Sequence, residues 1–520
     1  MGCKEFWTLF FLTTCMAMGF MLSPLSLVIL GNGAGLSGHW LLWTLPIFAV
    51  FNLWTAYLYS RWLTPTDSFE SKIYKEANSK RVLSILKLSC LVPFCIGAST
   101  LILAMAGYAL NEIFFYWFPN LIFSVCVLVF IVAINLISSM VSRSFQGLSV
   151  IIFLASMLIL MILGFLNWEK PVFETKNIPH IAQWDWRSLV LVLWLFMAAE
   201  LILYNDMLHQ NHQVHILSLM VAFVVAVAIF WLWGRISLHF ASLERLADST
   251  VPHSIVARAI AGENGRKIMG VVILTGSFAS VNTLLAGVSA VVVSMGKSGQ
   301  IFSVMKTKVF KGNTAILFLS TGILCMLLTG MAGKDITGTL TRSAFYVWLV
   351  SHAAFNVFVF RQLGRSGGKK NKKLILPAFL TSMAYVAGSV FLIATDPELS
   401  MVIAFITGFI LLSMLTVLKR KENDMTTTKI KPMIILTVFV LVTLITAPYA
   451  VLATEIPRIT KEEAREMMEN PDVVFLDVRS GSDWRASDIK ISGAVHEDPA
   501  NLKEWISNYD LKKTYILYCA

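Results

Sequence analysis

The stretch Met16-Ala-Met-Gly-Phe-Met-Leu-Ser-Pro24 lies in the middle of the first apolar segment, where a membrane helix is expected to be continuous. Gly19 and the pair Ser23-Pro24 interrupt a helix and leave backbone amide and carbonyl groups unpaired at membrane depth. Such groups are tolerated only where protein or a water-filled cavity satisfies them. An interrupted first helix therefore points to the binding site of a secondary transporter. A proline kink in an ordinary packed helix has the same sequence pattern, so both interpretations stay open.

The composition is that of a polytopic, all-α membrane protein. The chain has 520 residues, of which 57% are hydrophobic and only 14% are charged. Apolar runs of about 20 residues, the length that crosses a bilayer, recur along most of it. The sequence predicts about thirteen transmembrane helices, at 6–30, 38–61, 84–109, 118–140, 148–167, 187–206, 213–234, 267–295, 313–332, 340–360, 374–394, 399–418 and 432–453.

The orientation follows from the Lys and Arg residues in the connections between these spans. They are concentrated in alternate connections, which places the N-terminus in the cytoplasm. Thirteen spans then place the C-terminal domain in the periplasm or outside the cell. The net charge of +11 is explained by this topology, and we expect the lipid bilayer as partner but no nucleic acid. The seven cysteines are scattered and form no metal motif, so we expect no metal site and no cofactor.

The sequence changes character after residue 453. Residues 454–520 contain 13 Asp+Glu and 9 Lys+Arg, whereas the preceding part is strongly basic. Thr460-Lys-Glu-Glu463 matches a capping box and predicts a helix start. Val473–Leu476 is predicted to form a buried strand, 501–508 a short helix and Tyr515–Tyr518 a second strand. This alternation is typical of a small parallel α/β layer.

Glu200 is the most prominent polar residue within the spans, because it is the only acidic residue well inside any of them. A carboxyl group at membrane depth is costly and is a functional candidate by default. We expect it to accept a proton that is coupled to transport. The alternative is a permanently protonated carboxyl group that hydrogen-bonds a neighbouring helix. His352, in the middle of the tenth span, can join a proton relay or can be a satisfied core histidine.

The eighth span carries many small and hydroxyl-bearing residues, in the order Phe278-Ala-Ser-Val-Asn-Thr-Leu-Leu-Ala-Gly-Val-Ser289. These residues allow close approach of a neighbouring helix. Their oxygen atoms are also the kind that binds a sodium ion. Asn282 and Ser289 are therefore candidate ion-coupling residues together with Glu200 and His352, and the coupling ion is expected to be H⁺ or Na⁺.

Three segments together resemble the amino acid–polyamine–organocation (APC) superfamily of transporters over about residues 5–420. Ala17-Met-Gly-Phe-Met-Leu-Ser-Pro24 resembles the family's unwound Gly-x-Gly-Ile-x-x-x-Pro segment in the first helix. Phe196-Met-Ala-Ala-Glu200 resembles its Phe-x-Gly-Phe-Glu segment in the sixth helix. Asn282, Ser289 and Met295-Gly-Lys-Ser-Gly299 resemble its eighth helix. Alanine stands at 17 for the family's first glycine, and Ala198 and Ala199 leave the sixth segment without glycine.

This resemblance implies two inverted repeats of five helices, extra helices beyond them, and transport by alternating access. It also implies a central site between the first and sixth helices for an amino acid or a similar small organic solute. The residues implied to contact the solute are Ala17, Met18, Gly19, Phe20, Met21, Phe196, Ala199 and Glu200.

The C-terminal region, about residues 456–520, resembles a rhodanese-like domain. Phe475-Leu-Asp-Val-Arg479 resembles that family's Leu-Asp-Val-Arg segment, and Ile491-Ser-Gly-Ala494 resembles its Ile-Pro-Gly-Ala turn. Tyr515-Ile-Leu-Tyr-Cys519 resembles the strand that leads to the catalytic cysteine. The resemblance implies sulfur transfer through a persulfide on Cys519, with Asp477 and Arg479 as further candidates that we expect to brace the fold.

The active-site loop that this family has after its cysteine is not part of the given sequence, which has one residue after Cys519. We therefore expect the domain as given to be partial and inactive. One hypothesis is a recoded UGA codon after residue 520, which reading the gene beyond that codon tests.

We accordingly divide the chain into a transporter core at 1–420 with twelve spans, a basic linker and thirteenth span at 421–453, and a partial rhodanese-like domain at 454–520. The expected function is secondary transport of amino acids or related solutes. The rival hypothesis is a membrane-anchored sulfurtransferase or redox protein whose helices serve as an anchor or sensor.

Overall fold

The computed structural model describes fourteen stretches of the chain. Those stretches are 3–63, 77–115, 118–169, 185–204, 212–297, 312–331, 335–365, 369–417, 459–479, 484, 487, 489–497, 505–510 and 513–518. Within them, nine helices are long and apolar enough to cross a membrane, and four more apolar helices are shorter. The protein is therefore an integral membrane protein. The predicted thirteenth span at 432–453 lies outside the described residues.

The first predicted span is two helices, and the interruption lies where the sequence predicts it. Helix α1 (Cys3–Met18) ends just before Gly19, and α2 (Pro24–Ser37) begins at the proline. Residues 19–22 form turns between them. Ser23 caps α2, because its hydroxyl group accepts a hydrogen bond from the backbone N–H of Ser26 at 3.1 Å.

The next four spans are long helices that follow in order. They are α3 (His39–Leu63), α4 (Ala77–Ile113), α5 (Asn120–Ile137) and α6 (Ser139–Leu166). Ser138 separates α5 from α6 and caps α6 with its hydroxyl group, which accepts from the N–H of Met140. The fifth span thus begins at residue 139, earlier than the predicted 148, because this cap starts the helix.

The sixth predicted span is not a continuous helix. It consists of α7 (Trp186–Leu191), a 3-10 helix at Val192–Phe196 and a second 3-10 helix at Ala199–Tyr204. Met197 has an extended backbone, with φ of −73° and ψ of 165°, and Ala198 has a positive φ of 66°. A candidate membrane span thus lies at Trp186–Tyr204, close to the predicted 187–206, but its helix is interrupted at Met197 and Ala198. An alanine adopts here the left-handed conformation that glycine normally supplies, at a cost of about 1–2 kcal/mol.

The remaining helices complete the membrane part. They are α8 (His212–Phe240), the short α9 (Leu243–Asp248), α10 (Pro252–Lys297), α11 (Gly312–Leu328), α12 (Asp335–Arg365), α13 (Lys369–Ala394) and α14 (Leu399–Val417). Helix α10 bends at Ala261 and Gly262, where Gly262 has a positive φ of 59°. The predicted eighth span at 267–295 is the part of α10 after this bend.

The described C-terminal residues form a small parallel sheet. Strand β1 (Val473–Asp477) lies between β2 (Val495–His496) and β3 (Thr514–Tyr518), and both pairings are parallel. The helix α15 (Lys461–Glu466) precedes the sheet and begins with the predicted capping box. Thr460 accepts from the N–H of Glu463 at 3.2 Å, while the Glu463 carboxylate accepts from the N–H of Thr460 at 2.7 Å. The prediction of a small parallel α/β layer is therefore confirmed.

Candidate functional site

The two helix interruptions lie against each other. Phe20 at the first interruption packs on Trp194, just before the second, with ring centroids 6.2 Å apart. Phe94 of α4 contacts both rings, at 5.3 Å from Phe20 and 5.0 Å from Trp194. Phe345 lies 5.1 Å from Trp194. These four residues and Trp348, which lies 5.1 Å from Phe94, are called the aromatic cluster below.

Hydrogen-bond donors remain unused around the aromatic cluster. The indole nitrogen of Trp194 is buried and has no hydrogen-bond partner among the described residues. The backbone N–H groups of Phe20 and Met21, both in fully buried residues, also lack an acceptor within that part of the chain. Buried N–H groups are normally hydrogen-bonded in native proteins. The unpaired N–H groups at the two adjoining interruptions could therefore bind a ligand that carries acceptor atoms.

Glu200 begins a second group of polar side chains, two residues after Ala198. Its carboxylate accepts a hydrogen bond from the indole N–H of Trp348 at 2.9 Å, and it lies 3.3 Å from Nε2 of His352. The same indole N–H lies 3.2 Å from Nε2 of His352. Glu200, Trp348 and His352 are called the Glu200 cluster below. All three side chains are buried, so the structure brings together two of the four predicted ion-coupling residues.

Aromatic side chains surround the Glu200 cluster. The ring of Tyr59 lies 5.7 Å from His352 and stacks on Phe355 at 3.7 Å. The ammonium group of Lys87 lies 4.5 Å from the centroid of the Tyr59 ring and donates a hydrogen bond to the hydroxyl group of Tyr204. The same ammonium group lies 5.1 Å from the centroid of the Tyr204 ring, so Lys87 makes cation–π contacts with two tyrosines beside the cluster.

Asn282 lies in a different place, among side-chain amides between α5, α6 and α10. Its oxygen accepts from Asn135 at 2.6 Å, and its nitrogen donates to the Gln146 oxygen at 3.0 Å. The nitrogen of Gln146 in turn donates to Thr283 at 3.0 Å and to the carbonyl of Cys15 at 3.3 Å. These residues are called the amide cluster below. It links α1 to α6 and α10 and is separate from the Glu200 cluster.

The first interruption is also held directly by α10. The hydroxyl group of Ser280 donates to the carbonyl oxygen of Gly19 at 2.9 Å, and that of Thr283 donates to the carbonyl of Met16 at 3.4 Å. Hydroxyl groups of α10 thus bond carbonyl groups at the end of α1, where the backbone hydrogen bonding of the helix runs out. Ser289, by contrast, donates to Ala286 of its own helix at 2.9 Å and contacts neither cluster through this bond.

The other predicted solute-contacting residues are all buried at the interruptions. Phe196 stacks on Phe223 of α8 at 5.6 Å, so its ring packs between helices and is not part of the aromatic cluster. Ala17, Met18, Met21 and Ala199 have at most 2% of their surface exposed. Sequence reasoning missed Gln146 and Trp348. A tryptophan one helical turn before His352 was the available signal for Trp348, whereas Gln146 lies in the predicted connection before the span at 148–167 and gave none.

A cluster of ion pairs joins the ends of α7, α12 and α14. The carboxylate of Asp396, with a side chain that is 0% exposed, lies 3.0 Å from Arg187 and 3.2 Å from Arg342. It also accepts from the Tyr346 hydroxyl group at 2.6 Å, and Arg342 lies 3.3 Å from Glu398. Burial alone would raise the pKa of Asp396, but the hydrogen bond from Tyr346, the N–H of Glu398 and the nearby Arg342 together hold this pKa below its ordinary value.

We expect the substitution Asp396→Asn to destabilise the protein by about 2 kcal/mol. It removes the shared charge partner of two arginines, and a broken buried ion pair costs several kcal/mol, which the partial exposure of both arginines reduces. Thermal unfolding of the purified protein in detergent, followed by tryptophan fluorescence, measures the change.

The matched control is Glu263→Gln. It removes one negative charge from an exposed carboxylate that forms ion pairs with Arg258 and Arg266. Because exposed pairs contribute little, this control is expected to stay within about 0.5 kcal/mol of the parent protein. Equal effects of the two substitutions would contradict the role of the buried carboxylate.

Two of the three predicted sulfurtransferase residues, Asp477 and Arg479, meet at the carboxyl edge of the small sheet. Asp477 ends β1, and Tyr518 ends β3 directly before Cys519, which itself lies outside the described residues. Arg479 donates to Asp477 through Nε at 2.8 Å and through a second guanidinium nitrogen. The hydroxyl group of Tyr518 donates to the same carboxylate at 2.9 Å. The charges of Asp477 and Arg479 face each other, which fits residues that brace the fold.

This bracing predicts an acid-sensitive domain. The hydrogen bonds from Arg479 lower the pKa of Asp477 to about 2. Because the folded-state pKa lies below the ordinary value, the carboxylate stabilises the domain above about pH 4, and this contribution of about 2 kcal/mol is lost as the pH falls towards 2. We expect pepsin to cut the C-terminal region of the full chain increasingly fast over that interval.

The variant Asp477→Asn should be cut rapidly already at pH 4, with little further change down to pH 2. Asp472→Asn is the control, because Asp472 is exposed and precedes the same strand. A cleavage rate in Asp477→Asn with the same pH dependence as in the parent protein would contradict the assignment.

Comparisons with known proteins agree with this architecture. The model of the rhodanese-like domain matches residues 460–520. Two single-substitution mutants of a manganese transporter from Eremococcus coleocola are similar in structure, each with a TM-score of 0.53 and 11% identity. The match covers 84% of this chain and 97% of the transporter. Mhp1, a nucleobase–cation symport-1 family transporter with bound bromovinylhydantoin, aligns with a TM-score of 0.44 and 11% identity over 76% of this chain and 96% of its own. A comparison with curated protein sequences gives no match.

The helical part of the chain thus has a transporter fold, and the C-terminal part is similar to a rhodanese-like domain. Both resemblances predicted from the sequence are confirmed at the level of the fold.

Proposed function

We propose that the protein is a secondary transporter of an amino acid or a related small organic solute, which it moves by alternating access with coupling to protons. The observation that carries the proposal is the contact between the two helix interruptions, with the buried Glu200 two residues beyond the second. Membrane-depth backbone breaks are found where they line a binding site, and a buried carboxyl group beside one is suited to carry the coupling proton.

The environment of the interruptions favours an organic solute. The unpaired N–H groups of Phe20 and Met21 and the indole N–H of Trp194 are suited to a carboxylate or another acceptor group. The rings of the aromatic cluster are suited to an apolar or planar side chain. The manganese cargo of the structurally similar transporter is not carried over, because the side chains at 17–21 and 196–199 are apolar and offer no hard oxygen ligands.

Protons are favoured over sodium as the coupling ion. Glu200 already has two buried partners that respond to its charge, the indole N–H of Trp348 and the imidazole of His352. The oxygen atoms that could bind sodium between α1 and α10 belong to the amide cluster. There the amide nitrogen of Gln146 already donates to the carbonyl of Cys15 and to the hydroxyl group of Thr283. A hydrogen-bond donor in that position competes with a cation for the same oxygen atoms.

The proposal places the N-terminus in the cytoplasm and the rhodanese-like domain outside it, with Cys519 as its sulfur-carrying residue. The fusion favours a sulfur-containing solute. The test is uptake into proteoliposomes of radiolabelled amino acids, with cysteine, methionine and taurine in the panel, under an imposed pH gradient. We expect at least one solute to accumulate, and only while the gradient lasts. No gradient-dependent flux with any member of the panel would favour the rival hypothesis of a membrane-anchored sulfurtransferase.

A further inference from the structure

A group of buried polar side chains lies between α3, α12 and α13, next to the Glu200 cluster. The nitrogen of Asn356 donates to the hydroxyl oxygen of Thr55 at 3.1 Å, and Thr55 donates to the hydroxyl group of Tyr385 at 3.3 Å. Tyr385 in turn donates to the oxygen of Asn52 at 3.3 Å. Four residues, Asn52, Thr55, Asn356 and Tyr385, therefore form one chain of hydrogen bonds, and each has at most 7% of its surface exposed.

This chain adjoins His352 on the same face of α12. His352 and Asn356 are four residues apart, and Asn356 also donates to the carbonyl oxygen of His352 at 2.9 Å. Residues with this spacing on a helix have neighbouring side chains. The ring of Tyr385 lies 5.4 Å from that of His352. The hydrogen-bond chain and the Glu200 cluster thus meet at His352.

Two atoms at this meeting point have no partner among the described residues. They are Nδ1 of His352 and the side-chain oxygen of Asn356, in side chains that are 5% and 0% exposed. An unpaired buried polar atom costs about 1–3 kcal/mol. Native structures normally satisfy such atoms, often with an ordered water molecule.

The two unpaired atoms are chemically complementary. The indole of Trp348 can only donate, so when it donates to Nε2 of His352 a neutral imidazole must carry its hydrogen on Nδ1. A doubly protonated imidazole carries hydrogens on both nitrogens, with Nε2 facing Glu200. In both states Nδ1 is a donor without an acceptor, while the oxygen of Asn356 is an acceptor without a donor. One water molecule satisfies both.

We propose that the space between α3, α12 and α13 binds one ordered water molecule, which accepts from Nδ1 of His352 and donates to the oxygen of Asn356. Asn356 is then a positioning residue for proton coupling. The step that it supports is transfer of the Glu200 proton to His352, in which the O–H bond of the carboxyl group breaks and an Nε2–H bond forms. The products are a carboxylate and an imidazolium whose two N–H groups are both paired. This role rests on the proton coupling proposed above.

Several titratable groups face His352 from the elements packed around it. They are Glu200 from the second 3-10 helix, Tyr59 from α3 and Tyr385 from α13, with Lys87 of α4 behind the Tyr59 ring. Of these titratable groups, Glu200 alone lies within hydrogen-bonding reach of the imidazole of His352 and can supply its proton. The test must therefore observe the imidazole itself as well as transport.

The full chain is labelled with ¹⁵N-histidine in nanodiscs, and His352→Gln identifies the His352 signals. We expect neutral His352 to carry its hydrogen on Nδ1 and to show a contact between that hydrogen and a bound water. In Asn356→Leu, which keeps the branched shape of the side chain and removes the acceptor, the ratio of the Nδ1–H to the Nε2–H form should fall about tenfold. The control Ser389→Ala, where a buried hydroxyl group bonded to its own helix is removed, should leave the ratio unchanged.

An unchanged ratio in a folded Asn356→Leu, or an Nδ1 hydrogen with no water contact in the parent protein, would overturn the proposal. If Asn356→Leu does not fold, the water contact in the parent protein decides alone. These signals do not require transport. A bound water with no gradient-driven uptake therefore refutes the transporter proposal only, whereas uptake without the water refutes this inference only.

Discussion

Replacement of Glu200 by glutamine is expected to abolish uphill solute accumulation while exchange across the membrane continues. A gradient of one pH unit supplies about 1.4 kcal/mol per proton, which is enough for about tenfold accumulation in a one-to-one symporter. Glutamine cannot take up and release a proton, so the tenfold accumulation of solute should vanish. It keeps an oxygen that can accept from the indole N–H of Trp348, which lies 2.9 Å from the native carboxylate.

Glutamine is also expected to preserve the fold, because it keeps the size of the side chain and an oxygen at the position that accepts from the indole N–H of Trp348. Loss of accumulation would then report on coupling and not on unfolding. The measurement compares gradient-driven uptake with counterflow of the same labelled solute in the same proteoliposomes.

The control for this substitution is Glu169→Gln, at an exposed carboxyl group just after α6. It changes the net charge of the protein equally and lies far from the Glu200 cluster in the sequence. We expect it to accumulate solute like the parent protein. Full accumulation by Glu200→Gln would exclude Glu200 as the proton-carrying group.

The substitution Gly19→Ala is expected to have the largest effect on the fold of the membrane part. A Cβ atom at Gly19 would lie 2.0 Å from Oγ1 of Thr283, 2.3 Å from the nitrogen of Gln146 and 3.0 Å from the carbonyl oxygen of Ala279. The first two distances are far below van der Waals contact. The chain must shift, and overpacking of this kind costs about 1–3 kcal/mol.

The clash also breaks the contacts that hold the first interruption. Gln146 and Thr283 bind the carbonyl groups of Cys15 and Met16, so their displacement separates α1 from α10 and α6. We therefore expect Gly19→Ala to lower both the unfolding temperature in detergent and the rate of solute exchange. Thermal unfolding and counterflow measure the two effects.

Gly408→Ala is the control, because it makes the same change inside α14 where a Cβ atom would meet nothing within 4 Å. Alanine favours a helix over glycine by about 1 kcal/mol, so this variant should be as stable as the parent protein or slightly more stable. The double variant Gly19→Ala with Thr283→Ala should recover part of the loss, because the nearest clashing atom is removed. Equal stability of Gly19→Ala and Gly408→Ala would contradict the close packing at the first interruption.

In the proposed transporter, the groups at the two interruptions bind the solute and the Glu200 cluster carries the proton. The unpaired donors and the rings of the aromatic cluster lie at the breaks and are suited to the solute. The Glu200 cluster adjoins them through Trp348, which contacts Phe94 on one side and Glu200 on the other. A solute that moves the aromatic cluster can therefore change the surroundings of the Glu200 carboxyl group, which is how coupling between solute and proton would arise.

The sequence by itself determined the features that depend on local patterns. Apolar runs of bilayer length predict where helices lie, and Gly19 with Ser23-Pro24 predicts the first interruption, since these residues disturb a helix wherever it packs. The capping box at Thr460 and the strands around Val473 and Tyr515 follow likewise from residues close together in the chain.

The tertiary structure alone decided the second interruption and the partners of the buried polar groups. Ala198 has no intrinsic preference for a positive φ, so only packing against neighbouring helices can hold it there. Asn282 meets Asn135 rather than Glu200, and Asp396 meets an arginine 209 positions away in the chain. Such pairs depend on how each helix is rotated and tilted against the others. In a membrane span this rotation is set by packing, which the apolar pattern of a single helix does not encode.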